Sequence, residues 1–204
     1  TKLVFTKKQN WLLTAYSGLA FSPIIVFAGL WGHPFLQQAY HLKSTEVATL
    51  TTLSFAGLAF GGPLLGLIAD RFMSKRRVMM YGSIASLISL LLVIYVPHLP
   101  LVILAILMFL FGLGTGAFML SFALGRLSNP VTAAATVIAL INTGDALFGA
   151  FTEPMVGKLL DLGWAGKIVN GAPFFSVNDY QHAMFTLPIY LLLALILLIW
   201  IKEK

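Results

Sequence analysis

Six long stretches of this chain are almost free of charge: roughly 11–32, 47–69, 78–96, 100–124, 132–160 and 182–201. About twenty apolar residues in helical form cover the hydrocarbon thickness of a bilayer. In lipid a backbone must satisfy its own amides, which a single apolar segment can do only as a helix. Composition points the same way. The chain is 59% hydrophobic and 10% charged, whereas a soluble domain carries roughly 25% charged residues. In water, most of this apolar surface would stay exposed. The expected fold is therefore an all-α membrane protein, one transmembrane six-helix bundle over residues 1–204, with the lipid bilayer as its solvent. Connections are short except for the polar stretch 161–181, and no soluble domain, linker or low-complexity tract stands out. The chain opens on Thr1 rather than Met, which reads as a fragment or a processed product, and no cleavable signal precedes the first apolar run.

The 13 basic residues fix an expected orientation. If both termini are cytoplasmic, Lys2, Lys7, Lys8, Arg71, Lys75, Arg76, Arg77, Arg126, Lys202 and Lys204 share that side. Only Lys43, Lys158 and Lys167 lie opposite. Lysine and arginine concentrate on the cytoplasmic side of membrane proteins, so both ends are expected inside. The net charge of +6 does not imply nucleic acid, because the charges lie between apolar runs instead of forming a basic face. The absence of cysteine excludes disulfides, thiolate metal sites and a cysteine nucleophile.

The sequence also repeats. The second apolar segment ends Pro63-Leu-Leu-Gly66-Leu-Ile-Ala-Asp70, and the fifth ends Pro154-Met-Val-Gly157-Lys-Leu-Leu-Asp161. Two of the chain's four aspartates thus fall in one P-x-x-G-x-x-x-D frame, at matching places in two triplets of helices. Three helices per unit reverse the second copy, so Asp70 is expected at the cytoplasmic surface and Asp161 at the external one. This is a 3+3 inverted repeat, a ground plan of secondary transporters.

After the second segment the chain reads Gly66-Leu-Ile-Ala-Asp70-Arg71-Phe-Met-Ser-Lys75-Arg76-Arg77. A glycine at a membrane helix contact lets a neighbouring backbone approach. An aspartate near a helix C-terminus needs a cation or another helix's N-terminus to offset it. An ordinary positive-inside loop accounts for the basic residues but not for Gly66 or Asp70. Gly66, Asp70, Arg71, Arg76 and Arg77 resemble the loop signature of the major facilitator superfamily, in the form seen between helices eight and nine. The glycine usual two residues after the arginine is Met73 here, and the basic run sits late. The resemblance covers the whole chain as helices seven to twelve, half of a twelve-helix fold. It implies that the loop contacts an adjoining helix and stabilises one access state. It also implies a missing N-terminal six-helix half, or a self-pairing copy, as partner. A finer resemblance is to bacterial nutrient carriers of the phagosomal-transporter type, through residues 30–36, 142–161 and 179–181. That one implies an amino acid or related metabolite as substrate, and the bacterial inner membrane as location.

The fifth segment holds the strongest candidate for transport chemistry. Asp145 lies about 13 residues into a helix, near the bilayer centre, and an ionisable residue there is by default functional. At 100° per residue Asn142, Asp145, Gly149 and Glu153 share a stripe about 80° wide that climbs roughly 16 Å toward the outside. Desolvation disfavours the charged carboxylate, which suits a proton carrier or a partner for a substrate ammonium. A structural carboxylate paired with another helix is the plainer alternative. In the two-half arrangement this face is expected to look toward the other half or the central cavity.

Weaker patterns complete the reading. Tyr16 and Phe27, with Pro23, share a face of the first segment that lines a cavity or simply packs. Gly57-xxx-Gly61, Gly62-xxx-Gly66 and the triplet Gly112, Gly114, Gly116 favour close helix contact. His33, His41, His98 and His182 fall at segment ends without metal-ligand spacing, and no cofactor is implied. An intramembrane protease would need a deep histidine or a second buried aspartate, and a water channel would need Asn-Pro-Ala twice, where Asn129-Pro130-Val131 occurs once. A non-transporting interaction module has nothing specific in its favour. The function expected is a secondary transporter that moves a small-molecule substrate by alternating access, with a proton as candidate coupling ion.

Overall fold

The computed structural model describes residues 2–169 and 172–203, with the side chains of Lys2 and Ala172 left aside. Lys204, one of the basic residues counted above, lies outside the described residues. Among them are six helices long and apolar enough to cross a membrane: α1 (Lys8–Tyr40), α2 (Ser44–Arg71), α3 (Lys75–Tyr95), α4 (Leu101–Leu127), α5 (Val131–Gly163) and α6 (Val177–Leu197). A short helix, Lys2–Thr6, precedes them. A two-stranded antiparallel hairpin, β1 (Ile168–Val169) and β2 (Ala172–Pro173), stands between α5 and α6.

Two boundaries differ from the sequence reading. The first helix does not stop near Gly32. Its backbone widens into a π turn over Phe27–Trp31 and continues as Gly32–Tyr40, burying Phe35 and Leu36. Pro34 follows directly on the widened turn, where the regular i→i−4 ladder is already broken, so Gly32-His33-Pro34 is not a stop. The helix ends at His41, which adopts a left-handed conformation at φ 54°. The last helix starts at Val177 rather than near 182, because Ser176 and Asp179 cap it reciprocally. Ser176 N–H donates to Asp179 Oδ2 at 2.7 Å, and Asp179 N–H donates to Ser176 Oγ at 3.2 Å. Two orphan donors of the first turn are thereby satisfied.

Small residues set how the helices meet. A Cβ at Gly57 or Gly61 would strike the α4 backbone at Phe109 and Leu113, and one at Gly112 would strike Ser54 of α2. Gly82 and Gly114 bring α3 and α4 together in the same way, and Gly18 and Gly144 do so for α1 and α5. The most extensive pairings are α2 with α4 and α1 with α5, followed by α3 with α4 and α6 with α1. Exchanging helices one and four, two and five, three and six turns each of these pairs into its counterpart. The packing therefore carries the 3+3 inverted repeat that the paired P-x-x-G-x-x-x-D segments indicated.

Side-chain ties close both ends of the bundle. At the end holding the termini, Gln9 and Lys202 exchange two hydrogen bonds, 2.8 and 3.2 Å. Fully buried Asn10 pairs with Asn129, and Lys7 Nζ donates to Ser128 O at 2.7 Å. At the other end Tyr40 Oη donates to Val93 O or Val96 O, both at 2.8 Å, and Gln181 Nε2 donates to Ile94 O at 2.8 Å. Between these ends α1 is the most enclosed span, whereas α2 and α5 are the least covered. Phe60 and Phe151 on those two helices are 66% and 71% exposed. The faces of α2 and α5 are open.

Candidate functional site

Asp145 is only 5% exposed and sits where α5 crosses α1. The crossing is tight. A Cβ at Gly144 would meet Thr14, and one at Gly18 would meet Phe148 and Gly144 O. The neighbouring side chain across this contact is Ser17, itself fully buried. Neither Ser17 Oγ nor Asp145 Oδ1 has a hydrogen-bond partner. The one ion pair among the described residues is Lys75 with Asp70, far from this point, so no cation neutralises Asp145. One turn further from the end that holds the termini, a side chain at Gly149 would meet nothing within 4 Å among the described residues, although the glycine is buried. The arrangement offers a buried carboxyl, a free hydroxyl and a little space.

This corrects the expectation for the stripe. Asn142, Asp145, Gly149 and Glu153 do lie on one helix, but they do not share one environment. Asn142 is exposed on the open face, Asp145 and Gly149 are buried, and Glu153 is half-buried. Asp145 faces α1 of this bundle. Periodicity fixes which residues share a stripe, not which neighbour the stripe meets, and Gly18 and Gly144 decide the neighbour here. Sequence reasoning offered Ser17-Gly18 only as an available serine for an intramembrane protease and missed Ser17 as the neighbour of Asp145; the signal that could have found it was its place beside Gly18.

Toward the end away from the termini, Trp31 Nε1 donates to Glu153 O at 3.1 Å and the indole covers Gly157. The repeat counterpart of Gly66 thus seats an aromatic ring. Pro154 and Asp161 are exposed.

In the loop between α2 and α3, Lys75 Nζ lies 2.7 Å from Asp70 Oδ1, so the cation that a C-terminal aspartate needs comes from the next helix. Both residues border a groove of about 410 Å³ with Arg126 at the end of α4 and Val131 at the start of α5. Arg71 is exposed, while Arg76 and Arg77 turn away toward α6. Gly66 departs from expectation: a Cβ there would meet nothing within 4 Å. No backbone outside its own helix among the described residues comes within 4 Å of that Cβ.

Tyr16 and Phe27 belong to the packed interior, the plainer of the two readings. Tyr16 is fully buried, with its hydroxyl 3.1 Å from Ser83 Oγ on α3. Phe27 is wedged edge-on between Phe35 and Phe111. Of the histidines, His33 is within a helix and hydrogen-bonds Ser44 at 3.1 Å, while His41, His98 and His182 are exposed.

Residues 10–204 match the family model described as Major Facilitator Superfamily. The hexuronate transporter of Bacillus subtilis is 30% identical over 129 residues, 62% of this chain and 29% of that protein. Among solved structures, the inward-open xylose transporter of E. coli superposes with a TM-score of 0.75 at 15% identity, over 98% of this chain and 49% of that one. Its partially occluded inward-open form gives a TM-score of 0.76 at 16% identity, over 98% and 50%. At such identities the likeness establishes the fold. The chain spans about half the length of these structures and under a third of the curated relative.

Proposed function

Because this chain belongs to the Major Facilitator Superfamily, we propose that it forms one six-helix half of a secondary active transporter working by alternating access. Membership in a transporter family sets aside the intramembrane enzyme. The observation that carries the proposal is the superposition of the whole bundle on about half of a transporter, with α2 and α5 left open. The open faces suit an opposing six-helix unit, either an N-terminal half or a second copy. Both termini lie at one end of the bundle, and the ten-to-three basic asymmetry supports that end being cytoplasmic. A bacterial inner membrane fits the source of the hexuronate-transporting relative.

The substrate class is a small polar metabolite. Sugars and sugar acids come first for testing, since the relatives' names are those of hexuronate and xylose transporters. Amino acids and peptides, implied by the softer resemblance, come second. No lysine or arginine lies midway along any span. A sugar acid would therefore find its countercharge in the opposing half, while this half supplies amide and hydroxyl groups such as Asn142 and Thr143 on the open face. Asp145 is the coupling candidate. An unpaired carboxylate inside a membrane costs several kcal/mol, and a bound proton removes that cost. The gating role of Gly66, Asp70 and Arg71 rests on their form and on the Asp70–Lys75 pair beside the end of α4. Uptake by proteoliposomes of the full-length protein, screened against hexuronates, pentoses, amino acids and peptides with and without a pH gradient, tests the reading. Gradient-dependent uptake of one class is expected. Failure to move any of them in either condition would overturn the transport assignment.

A further inference from the structure

The loop after α2 carries more basic residues than its gate uses. Asp70 and Lys75 pair on the side facing α4 and α5. Arg76 and Arg77 point the other way, into a separate groove of about 600 Å³ between the start of α3 and the end of α6. We infer that this groove binds an anionic phospholipid, with its phosphate on Arg76 and Arg77 and an acyl chain along the α3–α6 seam.

Three observations select a lipid. First, the arginines are free: Arg77 makes no side-chain hydrogen bond among the described residues, and Arg76 makes one long contact, 3.4 Å to Ile199 O. Second, the one acid lining the groove, Glu203, forms no ion pair with either arginine and leaves the lining one positive charge in excess. Glu203 accepts instead from the backbone N–H groups of Lys75 and Arg76, at 2.8 and 3.1 Å. The groove thus keeps a net positive charge. Third, it is polar at one end and apolar along its length. Met80 follows one turn after the arginines, and Leu195 and Ile199 form the opposite wall, with Ile199 64% exposed. A free phosphate would use only the charged end, whereas an anionic lipid matches the whole length.

The test uses the full-length protein in vesicles of phosphatidylcholine mixed with phosphatidylglycerol, purified through detergent, with retained lipid measured by mass spectrometry. Retained phosphatidylglycerol should exceed its share of the vesicle. Enrichment should fall about fivefold for Arg76→Gln or Arg77→Gln and roughly 25-fold for both together. Arg126→Gln, which removes a charge from the same end but outside the groove, should leave it unchanged. Added glycerol phosphate, a headgroup without chains, should not displace the lipid. Undiminished enrichment in the double variant overturns the inference, and so does an equal loss with Arg126→Gln. Displacement by glycerol phosphate would make the groove a soluble-anion site and overturn it as well.

Discussion

Asp145→Asn separates the two charge states that the buried carboxyl can hold. Asparagine has nearly the size of a protonated aspartic acid and, like it, offers one donor toward Ser17 Oγ. If Asp145 carries a proton in this conformation, the exchange trades one neutral hydrogen-bonding group for another, a change of about 1 kcal/mol or less. For a domain of this size that moves the unfolding midpoint by roughly 2–4 °C at most. If the carboxylate is ionised, the variant removes an unpaired charge from a site with no cation in reach. That relieves about 3 kcal/mol, and the midpoint should rise by roughly 6–12 °C. The expected result is a shift inside the smaller range, together with loss of gradient-driven uptake and retention of substrate exchange. Thermal unfolding and proteoliposome flux on the one variant give both readouts. A rise of the larger size would refute the protonated carboxyl. Full gradient-driven uptake would refute the coupling role whatever the stability.

Four further tests address the rest of the structure. Gly112→Ala should cost about 1–3 kcal/mol, as overpacking does, because the new methyl would strike Ser54 backbone; a stability gain in thermal unfolding would contradict the α2–α4 packing. Gly66→Ala should leave stability intact or raise it by up to about 1 kcal/mol, since its Cβ meets nothing within 4 Å among the described residues; slowed transport with unchanged unfolding would identify it as a contact of the proposed opposing half. Asp70→Asn should slow exchange between access states while changing stability by under about 1 kcal/mol, the worth of an exposed pair; unaltered kinetics would reduce the loop to a topology signal. The chain has no cysteine, so single-cysteine labelling is clean: Ser128→Cys and Glu203→Cys should react from the cytoplasm and Leu42→Cys from outside, and the reverse pattern would invert the orientation.

The spans and the repeat were legible because both are written in runs. Apolar length gives the six helices, and the P-x-x-G-x-x-x-D frame gives the symmetry that the helix pairings then obey. What sequence could not carry was the meaning of a stop. Gly32-His33-Pro34 looks like a helix end, yet a single π turn at Phe27–Trp31 lets the chain pass through it. The environment of each polar residue was hidden for a similar reason. Asn142 and Asp145 share a stripe on paper, but the close contact at Gly18 and Gly144 buries Asp145 against α1 and leaves Asn142 exposed. Glu203 closes onto the N-terminus of α3 from 127 or more residues away, with no local pattern to announce it.

The position of Asp145 constrains how it could couple to anything. Ties at both ends, Asn10 with Asn129 and Gln9 with Lys202 at one, Tyr40 and Gln181 onto α3 at the other, oppose independent movement of single helices within the bundle. A carboxyl on the open face could respond directly to whatever meets that face. Asp145 instead faces Ser17 across the tightest part of the α1–α5 contact. Losing its proton there would place a bare charge between two helices, and the energy of that charge is relieved only if α1 and α5 separate enough to admit water. Asn142, three residues earlier on the same helix, lies on the open face. A shift of α5 at Asp145 would therefore reposition Asn142 without any chain of side-chain contacts between the two. On this view Ser17→Ala should alter the proton dependence of uptake more than its substrate affinity, and an effect confined to affinity would sever Asp145 from coupling.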